Sequence, residues 1–207
     1  MSAETVPQDE RLLVLGGTGN VGKYVVQWLQ QHAGPNVKIL MGTRSPQAKE
    51  TTENVKTVEE VACDLSNPSS IEAAVRQAQP HRVFLCLPQA LDEHAMKTSS
   101  EACAEAMVEV GASRLVRVAA LGIDGDGITQ GPLGVAHVAA ENHIKSVGLQ
   151  LSSVRPTSFH TNFVKYDVES IRTESVFRSP LGVEARVNWV HCRDIGFVAA
   201  ALLAEGE

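Results

Sequence analysis

The sequence predicts an α/β protein in which a doubly wound parallel sheet is covered by helices on both faces. Short apolar runs alternate with segments of helical periodicity along most of the chain, and this alternation is typical of parallel strands joined by crossover helices. The first apolar run leads directly into a glycine-rich turn and then into an amphipathic segment. The 207 residues suffice for one sizeable core but not for two ordinary domains.

Each predicted strand is a short apolar run bounded by turn residues. We assign strands to residues 12–16, 37–41, part of 55–62, 82–87, 115–120, 149–154 and 189–192. The predicted helices are 20–32, 68–78, 92–110, 135–147 and 194–203. Pro68 suits the first turn of the second helix, with Ser66 or Asn67 as its cap.

The glycine-rich turn is the most informative motif. After the apolar run, residues 16–22 read Gly-Gly-Thr-Gly-Asn-Val-Gly, and a helix follows. Glycines at 16, 19 and 22 permit a tight turn, a close backbone approach to a pyrophosphate and close packing of the helix on the strand. The N–H groups of the new helix then face the phosphates. The motif predicts a Rossmann-type dinucleotide site formed by Gly16, Thr18, Gly19, Asn20, Val21 and Gly22.

The same stretch also spells most of a P-loop, from Gly17 to Lys23. A P-loop requires Ser or Thr at the next position to bind magnesium, but residue 24 is Tyr. We therefore favour a dinucleotide over a nucleoside triphosphate.

The end of the second strand indicates which dinucleotide binds. An acidic residue there accepts a hydrogen bond from a free ribose 2′-hydroxyl, whereas an arginine accommodates a 2′-phosphate. Residues 41–45 read Met-Gly-Thr-Arg-Ser, so Arg44 is present and the acid is missing. We predict NADP(H), with NAD(H) less favoured.

Residues after the third and fourth strands complete the predicted cofactor site. We expect Asp64 to accept a hydrogen bond from the adenine amine and Leu65 to cover the ring, although a turn or capping role for Asp64 remains the alternative. Leu87 and Pro88, at the end of the fourth strand, are also predicted to contact the cofactor.

Composition argues against several other classes of function. The net charge is −6 and no run of Lys and Arg occurs, so we expect no direct binding to nucleic acid. The four cysteines are far apart and form no C-x-x-C pair, so we predict neither a metal site nor a disulfide framework. The N-terminus lacks the apolar core of a signal peptide, and the longest apolar stretch, 195–204, is too short to span a bilayer. We expect a cytoplasmic protein.

Several segments together resemble the atypical short-chain dehydrogenases/reductases, and among them the NmrA-like proteins. They are the glycine motif, Arg44, Asp64-Leu65, GASRLVRVAALG at 111–122, HVAAENHIKSVGLQLSSVRPTSFHTNF at 137–163 and NWVHCRDI at 188–195. The resemblance covers nearly the whole chain from Arg11. It implies a Rossmann core over 11–155 that binds NADP(H), and a short substrate-side region over 156–207 within a single domain.

The resemblance also shows what is missing for catalysis. Active members of the wider superfamily carry Tyr and Lys one helical turn apart, where the Tyr exchanges a proton with the substrate. Neither Tyr24 nor Tyr166 has Lys four residues later. Alignment from the SVRP segment at 153–156 puts Leu133 at the Tyr position and His137 at the Lys position, and a leucine cannot transfer a proton.

His137 is the candidate that remains on this helix. It shares one helix face with Glu141 and Lys145 at i, i+4 and i+8. We predict that His137 binds the nicotinamide ribose or serves as general acid oriented by Glu141. The alternative is that His137 merely packs and Glu141–Lys145 is a surface pair. We expect His143 to be exposed, and His160 and His191 are further candidates.

These observations predict an NADPH-dependent oxidoreductase that acts on a small quinone-, enone- or imine-like compound. The missing Tyr leaves two alternatives open: a non-catalytic NADP(H) sensor that binds a protein partner, and an isomerase or cyclase scaffolded by its cofactor. By analogy with the superfamily, the helix over 92–110 is a candidate homodimer face.

Overall fold

A six-stranded parallel sheet forms the centre of the protein. The structure is a computed structural model that describes residues 9–46, 56–121, 131–177, 184 and 186–205. The strands are β1 (Glu10–Leu15), β2 (Val37–Thr43), β3 (Val58–Ala62), β4 (Arg82–Leu85), β5 (Arg114–Val118) and β6 (Gln150–Val154). The helices are α1 (Gly22–His32), α2 (Pro68–Ala78), α3 (Glu93–Glu109), α4 (Pro132–Ser146), α5 (Val168–Glu174) and α6 (Cys192–Ala204).

The strand order is β3-β2-β1-β4-β5-β6, with every neighbouring pair parallel. The chain runs outward from β1 through β2 to β3, then returns to the other side of β1 and continues outward from β4. Such a reversal opens a crevice at the carboxyl ends of the two central strands, β1 and β4. The predicted doubly wound Rossmann-type sheet is confirmed.

The alternation of side chains along β1 sorts the core into two layers. Leu13 and Leu15 point toward α2, α3 and α4, whereas Leu12 and Val14 point toward α1 and α6. All four side chains are fully buried. Because both faces of the strand are covered, β1 reads as a continuous apolar run rather than an alternating one.

Side-chain caps and charged groups set the helix ends. Asn67, not Ser66, caps α2, and its side-chain oxygen accepts a hydrogen bond from the Ser69 N–H at 3.1 Å. Helix α4 begins at Pro132, three residues before the predicted start, because proline suits the first turn of a helix. The last carbonyls of α6 accept hydrogen bonds from the guanidinium groups of Arg82 and Arg114.

The region after β6 holds structure that periodicity did not reveal. A two-stranded parallel sheet pairs β7 (Ser158–Phe159) with β8 (Trp189–Val190). A π-helical turn, Phe163–Asp167, precedes α5. The predicted strand over 189–192 is too long, because α6 already begins at Cys192, where the side chain of His191 caps it. The predicted division at residue 155 and the dimer face on α3 stay predictions.

None of the helices in the described ranges combines the length and the apolar character that crossing a membrane requires.

Candidate functional site

A groove of about 780 Å³ runs along the carboxyl ends of the strands. Its described walls come from the segments that follow β1, β2, β3 and β4 and from the stretch after β6. Since the strand order is known, the positions along the groove follow. Residues after β2 and β3 form one end, the glycine loop lies in the middle, and residues after β4 and β6 form the other end.

In the glycine loop, neighbouring backbone atoms leave no room for a side chain at Gly16 or at Gly22. Gly16 has a φ of +91°, which L side chains rarely adopt, and a Cβ there would lie 2.5 Å from the carbonyl oxygen of Cys86. A Cβ on Gly22 would overlap the backbone of Gly16. These two glycines therefore hold the turn against β4 and bring α1 close to β1.

Gly19 differs from Gly16 and Gly22. It is exposed and lines the groove, and a Cβ there would meet only the Gly16 oxygen, at 3.2 Å. A side chain at this position would occupy space in the groove rather than space in the core. Thr18, Asn20 and Val21 line the same stretch. The loop therefore offers the bare backbone that a pyrophosphate requires, and the residues present fit a dinucleotide.

Arg44 lies exposed at the β2 end of the groove, between Thr43 and Ser45. Both neighbours also line the groove, so the guanidinium fork and two hydroxyl groups are available to a phosphate at this end. No acidic residue follows β2 directly. This is the arrangement expected for an adenosine 2′-phosphate.

Asp64 and Leu65 line the same end of the groove. The Asp64 Oδ1 atom accepts hydrogen bonds from the Ser66 N–H at 3.0 Å and from the Ser66 hydroxyl at 2.7 Å. These bonds, the backbone one first, hold the pKa of the Asp64 carboxyl below its ordinary value. Asp64 therefore stabilises the turn after β3, and its contact with adenine stays a prediction.

Two thiols border the groove, and burial keeps both protonated. Burial, followed by the charge of Asp64, raises the pKa of Cys63 to about 11. Burial, followed by the proximity of Cys192, raises the pKa of Cys86 to about 12. The thiolate is the nucleophilic form of cysteine, so neither side chain is suited to covalent catalysis at neutral pH.

The other end of the groove contains the predicted residues and several that sequence reasoning missed. Leu87 and Pro88 line it, and their contact with the cofactor stays a prediction. The missed residues are Gln89, Ala90 and Leu91 after β4, and Phe159, Asn162 and Lys165 after β6. The resemblance implies a substrate-side region after residue 155, but within it sequence reasoning singled out His160 and none of these three residues.

His160 and His191 are absent from the described lining of the groove. His191 accepts a hydrogen bond from the Arg193 N–H at 3.0 Å and caps α6. The exposed ring of His160 lies 6.3 Å from the rings of both Trp189 and His191. These contacts indicate packing and capping instead of catalysis.

His137 and Glu141 lie in a buried charge cluster, which we define as Arg117, His137, Glu141 and Arg155. Arg117, on β5, is only 2% exposed and donates hydrogen bonds to the His137 carbonyl at 3.2 Å and to the His137 Nδ1 at 3.0 Å. Arg155, directly after β6, donates to Glu141 Oε2 at 2.6 Å. The cluster thus ties α4 to β5 and to the end of β6.

The cluster also determines the protonation state of His137. An arginine has no acceptor atom, so Nδ1 accepts from Arg117 and the ring proton lies on Nε2. Burial, followed by the charge of Arg117, lowers the pKa of His137 to about 4. The imidazole is neutral near pH 7, and the described groove lining does not include it. This geometry does not support the predicted general-acid role of His137, and its contact with the ribose stays a prediction.

The orienting role predicted for Glu141 is also unsupported, since its carboxylate accepts hydrogen bonds from Arg155 and Ser153 and it is absent from the described groove lining. Burial raises the pKa of Glu141, but the hydrogen bond from Arg155 outweighs this effect, so the pKa is lowered and the carboxylate is charged. The alternative of a Glu141–Lys145 surface pair is wrong, because Glu141 is buried and Lys145 is exposed.

His143, expected to be exposed, is instead half-buried, and its Nε2 lies 3.4 Å from Glu105 of α3. Leu133, at the position of the usual tyrosine, is 44% exposed. The contact between His143 and Glu105 shows that one side of α4 faces α3. The sequence pattern did not reveal this contact.

Comparison with known proteins agrees with this geometry. Residues 16–182 match the model of a family described as NAD(P)H-binding. The chain is 29% identical over 196 residues to an NAD(P)H azoreductase from Xenophilus azovorans, covering 94% of this chain and 63% of the azoreductase. It is 28% identical over 203 residues to prestalk A differentiation protein A from Dictyostelium discoideum, covering 95% of this chain and 60% of that protein.

Solved structures share the fold. A triphenylmethane reductase from Citrobacter sp., complexed with NADP(H), is similar with a TM-score of 0.71 and 22% identity, over 95% of this chain and 66% of that one. An NADPH-dependent quinone oxidoreductase from Escherichia coli, complexed with NADPH, has a TM-score of 0.74 and 14% identity. The match covers 95% of this chain and 65% of that one. The chain thus spans less than two thirds of the length of each of these proteins.

We predict that Gly19→Val weakens NADPH binding at least tenfold and leaves the free energy of unfolding within about 1 kcal/mol of the parent value. The reason is that the new side chain projects into the groove and meets little else. Titration calorimetry and urea denaturation measure the two quantities. Gly34→Val is the matched control, because a Cβ on Gly34 meets nothing within 4 Å and lies outside the groove lining. Unchanged NADPH affinity in Gly19→Val would rule out the loop as the phosphate site.

We predict that His137 makes the protein less stable as the pH falls from about 7 to 4. The folded-state pKa of about 4 lies below the ordinary value of 6.5, so the unfolded chain takes up the proton first. We expect a loss on the order of 2 kcal/mol in the free energy of unfolding. This is less than the pKa difference alone would imply, because solvent partly screens the site. The free energy of unfolding, measured by urea denaturation at several pH values in this range, should fall less steeply with decreasing pH in His137→Gln than in the parent. His94→Gln, on the exposed surface of α3, should keep the parent slope. Identical slopes in all three proteins would contradict the cluster geometry.

Proposed function

Since the chain belongs to the NAD(P)H-binding family, we propose that it is a reductase that uses NADPH to reduce a small conjugated compound such as a quinone, an enone or an imine. The observation that carries the proposal is the groove itself. It combines a bare glycine loop, an arginine at one end and apolar walls at the other. That combination suits a phosphorylated dinucleotide whose reactive ring lies beside a flat organic substrate.

The names of similar proteins support this reaction class. They include an azoreductase, a triphenylmethane reductase and a quinone oxidoreductase. Each of these names refers to reduction of a conjugated acceptor. The sequence identities are 14–29% and the coverage of those proteins is partial, so the substrate of this chain is part of the proposal.

The residues of the groove would divide the binding of NADPH among them. The N–H groups of the Gly16–Gly22 loop would hold the pyrophosphate, and Arg44 with Thr43 and Ser45 would hold the 2′-phosphate. Leu87 and Phe159 would lie against the nicotinamide ring at the reactive end. Bound NADPH supplies a hydride, and a quinone that accepts it also takes up one proton to become a hydroquinone.

The described lining of the groove includes neither His nor Tyr, so we propose that the proton comes from water. This favours acceptors whose reduced form is protonated readily in solution. It disfavours the alcohol dehydrogenase chemistry for which the superfamily uses a tyrosine. The groove residues would then contribute position and electrostatics, and the hydride chemistry would belong to the cofactor.

We predict that the protein binds NADPH more tightly than NADH and that Arg44→Ala erodes this preference. Loss of one charge-assisted contact to the 2′-phosphate should cost about 1.5–3 kcal/mol for NADPH and little for NADH. Titration calorimetry with both cofactors provides the measurement. Arg172→Ala is the matched control, because Arg172 is exposed on α5 and outside the groove lining. Equal affinity of the parent protein for NADPH and NADH would contradict the assignment of Arg44 to the 2′-phosphate.

We also predict NADPH oxidation when the protein is incubated with a panel of quinones, enals and cyclic imines. The decrease in NADPH absorbance is followed at high protein concentration, and the Gly19→Val variant serves as the negative control. Turnover with at least one class would support the reductase. Tight NADPH binding without oxidation across the panel would contradict it and favour the sensor or the cofactor-scaffolded isomerase.

A further inference from the structure

The reactive end of the groove, formed by residues after β4 and β6, holds three polar side chains among its described lining: Gln89, Asn162 and Lys165. Lys165 donates a hydrogen bond to Gln89 Oε1 at 3.4 Å, and both of these residues have further interactions in the structure. Asn162 is half-buried, and its side chain makes no hydrogen bond within the described part of the chain. Its amide therefore has hydrogen-bonding capacity that a substrate could use.

The residues on either side of Asn162 are anchored away from the groove. The Thr161 hydroxyl contacts the Cys192 thiol at 3.5 Å, at the start of α6. The ring of Phe163 lies 4.3 Å from the ring of Trp189 on β8. Asn162 lines the groove, whereas Thr161 and Phe163 are absent from its described lining. Packing behind the segment thus holds the Asn162 side chain at the groove, as a preorganised binding group requires.

Apolar side chains share the reactive end with this amide. Leu87, Leu91 and Phe159 belong to the described lining there. They offer a surface for a flat conjugated ring, and Asn162 offers two N–H donors beside it. The combination suits an aromatic or conjugated compound that carries a hydrogen-bond acceptor, such as a carbonyl oxygen.

Hydride transfer to a quinone places negative charge on such an oxygen. The quinone gains a hydride from NADPH, which becomes NADP⁺, and the resulting hydroquinone anion takes one proton from water and leaves hydroxide. An asparagine amide does not ionise near neutral pH, so it is not a proton source, but its N–H groups donate hydrogen bonds. A positioned donor lowers the barrier when charge develops on the atom it faces.

We propose that Asn162 donates an amide N–H to the carbonyl oxygen of the acceptor and stabilises the charge that hydride transfer places there. The inference rests on the proposed reductase function and names its substrate class: conjugated carbonyl compounds in preference to cationic acceptors such as iminium ions. An iminium ion loses its charge when its carbon takes the hydride, and it has no oxygen for Asn162 to stabilise. Removing Asn162 should therefore affect the two classes unequally.

Steady-state kinetics with 1,4-naphthoquinone and N-methyl-3,4-dihydroisoquinolinium, two bicyclic acceptors, tests this proposal. We expect Asn162→Leu to lower kcat/KM for the quinone at least tenfold relative to kcat/KM for the iminium. Losing one donor in an enclosed oxyanion site costs about a hundredfold or more, and Asn162 is only half-buried. Asn162→Asp should shift the ratio further in the same direction, because a carboxylate repels the oxyanion and attracts the cation. Asn188→Leu, exposed and outside the described groove lining, should keep the parent ratio.

Equilibrium binding to the NADP⁺-loaded protein tests Asn162 without turnover. The probe 2-hydroxy-1,4-naphthoquinone is an anion at neutral pH and resembles the hydroquinone anion, whereas 2-methoxy-1,4-naphthoquinone is uncharged. In titration calorimetry, we expect Asn162→Leu to weaken the anion about tenfold more than the methoxy compound. The affinity for NADP⁺ should stay at the parent value.

Three results would overturn the proposal. The first is an equal loss of kcat/KM for both acceptors in Asn162→Leu, which would assign Asn162 a merely structural role. The second is a weakened NADP⁺ affinity in that variant, which would make Asn162 a ligand of the cofactor. The third is reduction of the iminium alone by the parent protein.

The two experiments together separate this inference from the proposed function. If the parent reduces both acceptors and every Asn162 variant keeps the parent ratio, the reductase stands and the role of Asn162 is refuted. If the parent reduces neither acceptor but Asn162→Leu selectively weakens the anionic probe, the proposed function fails and the oxyanion site stands. If the parent reduces the quinone alone, the two binding probes decide the role of Asn162.

Discussion

The close approach of the glycine loop to the end of β4 is the constraint on which the groove depends. The N–H of Cys86 donates to the Leu15 carbonyl at 3.0 Å, and the carbonyl of Cys86 leaves no room for a Cβ on Gly16. This contact lies at the point where the strand order reverses, between β1 and β4. Because the turn there is tight, α1 begins at Gly22, directly after Asn20 and Val21, which line the groove. A bulkier loop would fill the crevice that the sheet topology opens.

A second constraint lies behind the groove, in the buried charge cluster. Two arginines and one carboxylate are brought together between α4, β5 and the end of β6. Removing charges from water is costly unless hydrogen bonds satisfy them. The bond from Arg155 to Glu141 and the two bonds from Arg117 to His137 offset part of that cost, whereas the buried Arg117 Nε and Glu141 Oε1 atoms have no hydrogen-bond partner among the described residues. The neutral His137 serves as an acceptor within this arrangement, which explains why burial and Arg117 together disfavour its protonation. Through these side chains, α4 is linked to β5 and to the end of β6.

The two ends of the groove have different physical character, and this difference links binding to chemistry. The β2 end offers a guanidinium group and hydroxyl groups, which are suited to phosphate. The β4 and β6 end offers Leu87, Leu91 and Phe159, with Lys165 at its edge. A dinucleotide bound along the crevice would therefore be held by its charged half. Its reactive half would lie against these apolar side chains.

The sequence by itself determined the strand–turn–helix unit and the position of Arg44. These are local features: a continuous apolar run, glycines at fixed spacing and an arginine after the second strand. Backbone sterics link such features directly to structure. Only the tertiary structure decided the surroundings of His137 and Glu141 and placed Lys165 in the groove lining. Arg117 lies 20 residues before His137 and pairs with it across two elements, and Lys165 lies 76 residues from Gln89. Charge pairing and desolvation at such separations depend on how helices pack on the sheet, which side-chain periodicity does not encode.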